Sequence, residues 1–396
     1  MSTRNLAILG STGSIGRQTL SVVEALGDQF KVAALAAGSN LNELVPQILK
    51  HRPEVVSVAT PELADELARL LREKNHPLPS IHHGREGMLA VATHPAAKIV
   101  VSAAVGVVGL EATYEAVKLG RIVALSNKEV LVAAGELVMA AAKNVGRELL
   151  PVDSEHNAIH QCMRGGTHSE VRRIVLTASG GPFRKTPLAQ LAHATTEQAL
   201  AHPKWKMGNR ITIDSATMMN KGFEVIEARW LFNVRPDQID VVIHPQSTIH
   251  SMVEFVDGSV LAQLGPTDMR MPIQYALTYP ARVPANEIQL DWTKLKRLDF
   301  EKASTRRFPC LQLARDAMKK GGALPCALNA ADEVAVAAFL EHRLPFLGIA
   351  EVIERVLART PRTRFASIDD VLQADGEARR IAHEEVQALA ANPALA

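Results

Sequence analysis

LAILGSTGSIGRQTL, residues 6–20, decides the class of fold. It opens with a short apolar run of the kind a buried strand makes, and from Ser14 onward the pattern is that of an amphipathic helix. Between the two, Gly10, Gly13 and Gly16 are spaced G-x-x-G-x-x-G and not G-x-G-x-x-G. Glycine permits positive φ and close backbone approach, and a helix N-terminus turns its amides toward an anion. Thr12 and Ser14 add hydroxyl donors. The stretch reads either as a plain tight turn or as one that holds the pyrophosphate of a dinucleotide. Its place between a strand and a helix, in a unit of about thirty residues, favours the second.

Working outward, the alternation continues through residues 1–150. Short β-rich runs at 6–9, 31–36, 55–59, 98–103, 122–126 and 148–152 are interleaved with helical patterns such as 62–74, 111–119 and 135–144. This predicts an α/β domain, a Rossmann-like doubly wound parallel sheet with helices on both faces. The second run ends in LAAGSN, placing Gly38, Ser39 and Asn40 where NAD-binding units carry an acid for the ribose 2′-hydroxyl. A carboxylate there would repel a 2′-phosphate, whereas Ser39 and Asn40 can donate to one. NADP is favoured over NAD.

Residues 151–280 predict a central α+β domain. RRIVLTASGG (172–181), RITIDSAT (210–217), IDVVIHPQ (239–246) and TIHSMVEFVDGSVLAQLG (248–265) read as strands, with Asp257-Gly258 as a hairpin signal. Residues 281–312, rich in proline and charge, read as a linker. Residues 313–396 read as a C-terminal helical domain, with patterns at 313–320, 326–340, 346–358 and 368–389.

Composition narrows the function. With 396 residues, 47% hydrophobic, 22% charged and a net charge of +2, the chain offers no bulk electrostatics for nucleic acid or a membrane surface. Its three cysteines, Cys162, Cys310 and Cys326, show no C-x-x-C spacing, so they build neither a disulfide framework nor a thiolate metal site. Residues 1–5 are too short for a secretory leader and no long uncharged apolar run follows, so a cytoplasmic protein is expected.

Chemistry concentrates in two stretches. LLPVDSEHNAIHQ (149–161) sets Asp153 and Glu155 two apart, which in an extended segment points both carboxylates to one side. HPKWKMGNRITIDSATMMNKGFEVIEARWLF (202–232) places Ser215 as a candidate cap for a helix starting near Thr217, with Asn220, Lys221 and Glu224 in its first turns. Such a helix start suits phosphate, and Ser179-Gly180-Gly181 in TASGGPFR (177–184) adds a candidate backbone nest. The plainer readings are surface ion pairs and an ordinary turn. Were Asp153, Glu155 and Glu224 to converge, they would make an all-oxygen site for Mg²⁺ or Mn²⁺. The loop with His202, Trp205, Met207 and Gly208 is either a lid or an exposed aromatic loop. His244 and His250, six apart, do not match a helical zinc pair and read as structural or interface residues.

GSTGSIG, AGSN, ALSNKE, PVDSEH, ASGGPFR, HPKWKMG and DSATMMNKGFEVIEA occur in order and at fitting distances. Together they resemble the 1-deoxy-D-xylulose 5-phosphate reductoisomerase family over nearly the whole chain. The resemblance implies an NADPH- and metal-dependent enzyme of the non-mevalonate isoprenoid pathway, acting on a phosphorylated ketose as a homodimer. It implies cofactor contacts at Thr12, Gly13, Ser14, Ile15, Gly38, Ser39, Asn40, Asn127, Glu129 and Gly208, and metal ligands at Asp153, Glu155 and Glu224. Substrate contacts fall on Lys128, Ser154, Glu155, Ser179, His202, Ser215, Asn220, Lys221 and Glu224, with Trp205 closing over them. Many members carry Lys or Arg where this chain has Ser39. From the residues alone, a metal-free NADP-dependent dehydrogenase and a non-catalytic dinucleotide sensor stay open.

Overall fold

A computed structural model describes residues 3–205, 207–285 and 288–391. Along the chain the first elements are β1 (Arg4–Leu9), α1 (Ser14–Leu26), β2 (Phe30–Ala36), α2 (Leu41–His51), β3 (Val55–Val58), α3 (Pro61–Glu73), β4 (Ser80–His83), α4 (Gly84–Ala92), β5 (Ile99–Ser102), α5 (Leu110–Lys118), β6 (Ile122–Leu125), α6 (Glu129–Asn144), β7 (Leu150–Pro151) and α7 (Ser154–Met163). Then come β8 (Val171–Ala178), α8 (Leu188–Leu191), α9 (Thr196–Leu200), α10 (Asn209–Thr217), α11 (Met219–Phe232), β9 (Ile239–Ile243), β10 (Ile249–Phe255), β11 (Val260–Leu264) and α12 (Arg270–Thr278). The chain closes with β12 (Glu301–Lys302), α13 (Pro309–Lys320), α14 (Leu324–Leu340), α15 (Gly348–Arg359) and α16 (Ile368–Ala390). Two compact units result: Met1–Val130, Val138–Asn157 and Asp268–Ile288 form the first, and Leu131–Leu137, Ala158–Thr267 and Gln289–Ala396 the second.

The first unit is an α/β fold. Its seven strands run parallel in the order β4-β3-β2-β1-β5-β6-β7. Leu6, Ala7, Ile8 and Leu9 have no exposed surface, as a central strand covered on both faces requires. The order reverses between β1 and β5, which opens a crevice beyond the C-terminal ends of those strands, the usual ligand position in such sheets. Ile273, Ala276 and Leu277 of α12 join this core.

The second unit holds a five-stranded sheet, β11-β10-β8-β9-β12, in which only β8 and β9 pair in parallel. β10 and β11 form the hairpin expected around Gly258, whose φ is +87°. One core gathers sheet residues such as Ile174 and Val253 with Phe223 of α11, Leu328 of α14 and Ile353 of α15. No described helix is long and apolar enough to cross a membrane.

Three local expectations are corrected. RITIDSAT is a helix, α10, because Gly208 sits at its N-cap and Arg210 and Asp214, four apart, face each other across one turn. Ser215 therefore lies in the last turn of α10 and caps nothing; Met218, in the left-handed region, separates α10 from α11. The run 148–152 contributes only the two-residue β7, and α7 begins at Ser154, so Asp153 and Glu155 straddle a helix start rather than an extended segment. β4 and α4 were not foreseen, and residues 281–312 hold β12 and the first turn of α13.

Candidate active site

In the first unit the glycine turn sits at the mouth of the crevice. Gly10 has φ +86°, and a Cβ there would lie 2.5 Å from the Ala103 carbonyl oxygen; at Gly16 a Cβ would lie 2.3 Å from the Gly10 oxygen. Neither position admits a side chain. Gly13 is the N-cap of α1, no side chain caps the helix and no acid lies in its first turn. The amides beside Thr12, Ser14 and Ile15 are thus offered to an anion without a competing carboxylate. Gly38, Ser39 and Asn40 are exposed at the end of β2. Asn40 has a second role: its Oδ1 accepts from the Glu43 amide at 3.2 Å and caps α2, leaving its NH₂ as the donor.

At the β6–α6 junction, Asn127 is buried and donates from Nδ2 to the Gly106 oxygen at 2.8 Å. Glu129 begins α6. Lys128, also buried, reaches across to Asp153, Nζ to Oδ2 2.5 Å. Burial pushes the Asp153 carboxyl up, but the charges of Lys128 and His156 and hydrogen bonds with Lys128 and Glu155 outweigh it and hold the group well below the usual carboxylate range. Ser154 Oγ donates to Glu155 Oε2 at 2.7 Å. His156, fully buried, was missed in the sequence, where it is one polar residue among several.

In the second unit, the loop after β8 meets the end of α10. Gly181 has φ +65°, and a Cβ there would lie 2.6 Å from the Ser215 carbonyl oxygen. His202 Nδ1 accepts from the amides of Trp205 at 2.8 Å and Lys204 at 3.2 Å. A neutral ring therefore carries its proton on Nε2, which donates to Ser179 Oγ at 2.9 Å. Burial lowers the His202 pKa, only partly opposed by the Trp205 backbone, so the neutral form prevails at neutral pH. The Gly181 amide also donates to Ser179 Oγ, at 3.2 Å. With both lone pairs engaged, the Ser179 hydroxyl proton is free for an outside acceptor.

At the start of α11, Glu224 is fully buried. Its Oε1 accepts from Asn220 Nδ2 at 2.7 Å, and its Oε2 accepts from the buried ammonium of Lys221. Glu227, one turn on, is also fully buried; the i, i+3 spacing in FEVIE carried that signal. Trp205 is half-buried, its ring centroid 6.4 Å from that of His250, while Pro203 and Lys204 beside it are exposed. Gly208 leads into α10, and Lys206 of the same motif lies outside the described residues. His244 donates from Nδ1 to the Asp299 oxygen at 2.9 Å and accepts the Thr248 amide at Nε2, so it is structural, as its spacing implied. The three cysteines are buried, and burial pushes the thiols of Cys310 and Cys326 well up, which removes them as nucleophiles.

Family models match most of the chain. They are 1-deoxy-D-xylulose 5-phosphate reductoisomerase over residues 6–135, the 1-deoxy-D-xylulose 5-phosphate reductoisomerase C-terminal domain over 149–232, and the DXP reductoisomerase C-terminal domain over 264–381. The chain is 51% identical to 1-deoxy-D-xylulose 5-phosphate reductoisomerase of Solibacter usitatus over 99% of its own length and 100% of the relative's. It is also similar to the solved Zymomonas mobilis enzyme of that name in complex with NADPH, at 43% identity and TM-score 0.91, covering 98% of this chain and 100% of that one. A DOX-P reductoisomerase structure with NADPH, fosmidomycin and magnesium matches at 38% identity and TM-score 0.92, over 97% of this chain and 98% of that one.

Proposed function

The chain belongs to the 1-deoxy-D-xylulose 5-phosphate reductoisomerase family, and on that premise we infer how its residues serve the reaction. It is an enzyme that rearranges and reduces 1-deoxy-D-xylulose 5-phosphate to 2-C-methyl-D-erythritol 4-phosphate, dependent on NADPH and a divalent metal ion.

Residues 1–150 bind NADPH in this reading. Thr12, Gly13, Ser14 and Ile15 take the pyrophosphate, Gly38, Ser39 and Asn40 the 2′-phosphate, and Asn127 and Glu129 further cofactor contacts; Gly208, outside these residues, supplies one more. The steric exclusion of a Cβ at Gly10 and Gly16, with an uncapped helix start, fits that group. Residues 151–280 supply the catalytic and metal-binding part, 281–312 a connecting segment that carries β12 and the first turn of α13, and 313–396 a helical part.

Asp153, Glu155 and Glu224 would hold Mg²⁺ or Mn²⁺; their donor set is oxygen only, as hard cations prefer. When bound, such an ion polarises the ketone carbonyl and acidifies the neighbouring hydroxyl, and NADPH supplies the hydride. Around these groups the chain's own residues divide the work. Ser154 fixes the Glu155 carboxylate. Ser179 donates its free hydroxyl proton to the substrate phosphate, with His202 locking its orientation. Ser215, Asn220 and Lys221 complete the anion contacts. Glu155 and Lys128 are the candidates to move a proton, and Trp205 closes to exclude water.

The exposed edge strand β11, with Val260 52% and Leu261 41% exposed, supports a homodimer built on that edge. The composition supports a cytoplasmic location.

The observation that carries the site assignment is Glu224, a carboxylate with no exposed surface yet bonded by Lys221 and Asn220. Glu224→Gln should cut turnover by two orders of magnitude or more, on the order of 3 kcal/mol, and raise the Mn²⁺ concentration needed for half activity, with the circular dichroism spectrum unchanged. Near-normal activity at limiting Mn²⁺ would remove Glu224 from the metal.

A further inference from the structure

The second unit contains a cavity of about 740 Å³ that none of the residues assigned above lines. It lies where α6, the end of α11, the α13–α14 turn and the segment before α16 meet. Its floor is built by the backbone. α6 is kinked at Ala134 (φ −133°, ψ 26°), and at Gly135 a Cβ would lie 2.3 Å from the Trp230 ring. The glycine lets the indole lie against the helix, and Trp230 and Phe365 give the cavity an aromatic lining.

Five cations surround that lining: Arg229, Lys319, Lys320, Arg362 and Arg364. Glu136, at the exposed rim, is the single acid among the lining residues. None of the five makes an ion pair with a described residue. Two arginines are held in place. Arg229 Nη1 donates to the Met318 oxygen at 2.8 Å, its guanidinium 5.1 Å from the Trp230 ring centroid, and Arg362 Nη2 donates to the Lys320 oxygen at 2.5 Å. Helix-end electrostatics account for Lys319 and Lys320 at the C-terminus of α13. They do not account for Arg364, nor for so much unneutralised charge converging on one concavity.

We propose that this cavity is a second anion-binding site, separate from the substrate site, that takes a small phosphorylated organic molecule. Its volume is that of a small-molecule pocket, about 300–1,000 Å³. The Arg and Lys side chains match phosphate oxygens, and the two aromatic rings match a carbon body.

The test is calorimetric titration of inorganic pyrophosphate into the full chain in metal-free, low-salt buffer. The parent, K319E/R364E and K221A are compared. The site predicts that K319E/R364E weakens binding by about tenfold or more while keeping the parent's kcat and KM, and that K221A retains binding at the cavity. If the charge reversal fails to fold, K319A/R364A must show the same direction of loss. Binding that is unchanged in K319E/R364E, lost only in K221A, or absent from the parent would overturn the proposal.

Discussion

At position 39 a single side chain carries the proposed choice between nicotinamide cofactors in the first unit. Ser39 is exposed at the end of β2, and under the proposed cofactor contacts an aspartate there would set a charge against the 2′-phosphate. Ser39→Asp should raise KM for NADPH by about tenfold or more, the effect of roughly 1.4 kcal/mol of repulsion, and change KM for NADH far less. Equal losses with both cofactors would mean that Ser39 does not face that phosphate. A second residue, invisible in the sequence, governs pH response. Asp332 of α14 is fully buried; burial and neighbouring Asp214 and Glu333 push its carboxyl well above the usual range, against the charge of Arg210 at 3.7 Å. The folded chain therefore holds this proton longer than the unfolded chain does. The stability it brings is complete below the unfolded pKa, about 3.9, and is lost as pH rises through the folded value. Asp332→Asn keeps the shape without the titration. Its melting temperature should match the parent's near that pH and exceed it increasingly toward neutrality, by about 2–4 °C per kcal/mol recovered. A variant less stable than the parent at neutral pH would show that Asp332 works as an anion.

At the scale of elements, the loop between α9 and α10 is the part expected to move. Trp205 lies between exposed Pro203 and the open Gly208, and its amide, not its ring, is what His202 holds. Trp205→Ala should lower kcat by about tenfold, near 1.4 kcal/mol of transition-state stabilisation, and weaken binding of a phosphonate–hydroxamate mimic of the substrate. The melting temperature of the free protein should barely change, because a surface loop contributes little packing. A large loss of stability with binding of the mimic intact would make Trp205 a core residue. The same region shows what a sequence can and cannot reveal. The turn at Gly10–Gly16 was legible because its constraint at Gly16 is local: a Cβ there would lie 2.3 Å from the Gly10 oxygen, whereas the clash at Gly10 is with distant Ala103. α10 was not, because its ITID run alternates like a strand. What anchors the helix is distant in sequence: Arg210 reaches Glu333 at 2.8 Å and Asn329 at 3.0 Å, both on α14.

At the scale of the whole molecule, the chain leaves the first unit and returns to it. Asn157 Nδ2 donates to the Pro272 oxygen at 3.3 Å across 115 positions, and α12 packs into a core begun by β1. Periodicity placed most strands and many helices, yet it carries no signal for such a return. The motifs named the chemistry because they gather phosphate donors and carboxylates in fixed order. The hydrogen bonds that orient them, Ser179 with His202 and Asn220 with Glu224, became visible only in the folded chain. The most direct test of this account follows NADPH consumption on adding 1-deoxy-D-xylulose 5-phosphate, with metal removed by chelator and then restored as Mn²⁺. The account predicts no turnover without metal, full recovery with it, and 2-C-methyl-D-erythritol 4-phosphate formed one for one with NADPH oxidised. Metal-independent oxidation, or NADPH binding without consumption, would contradict it.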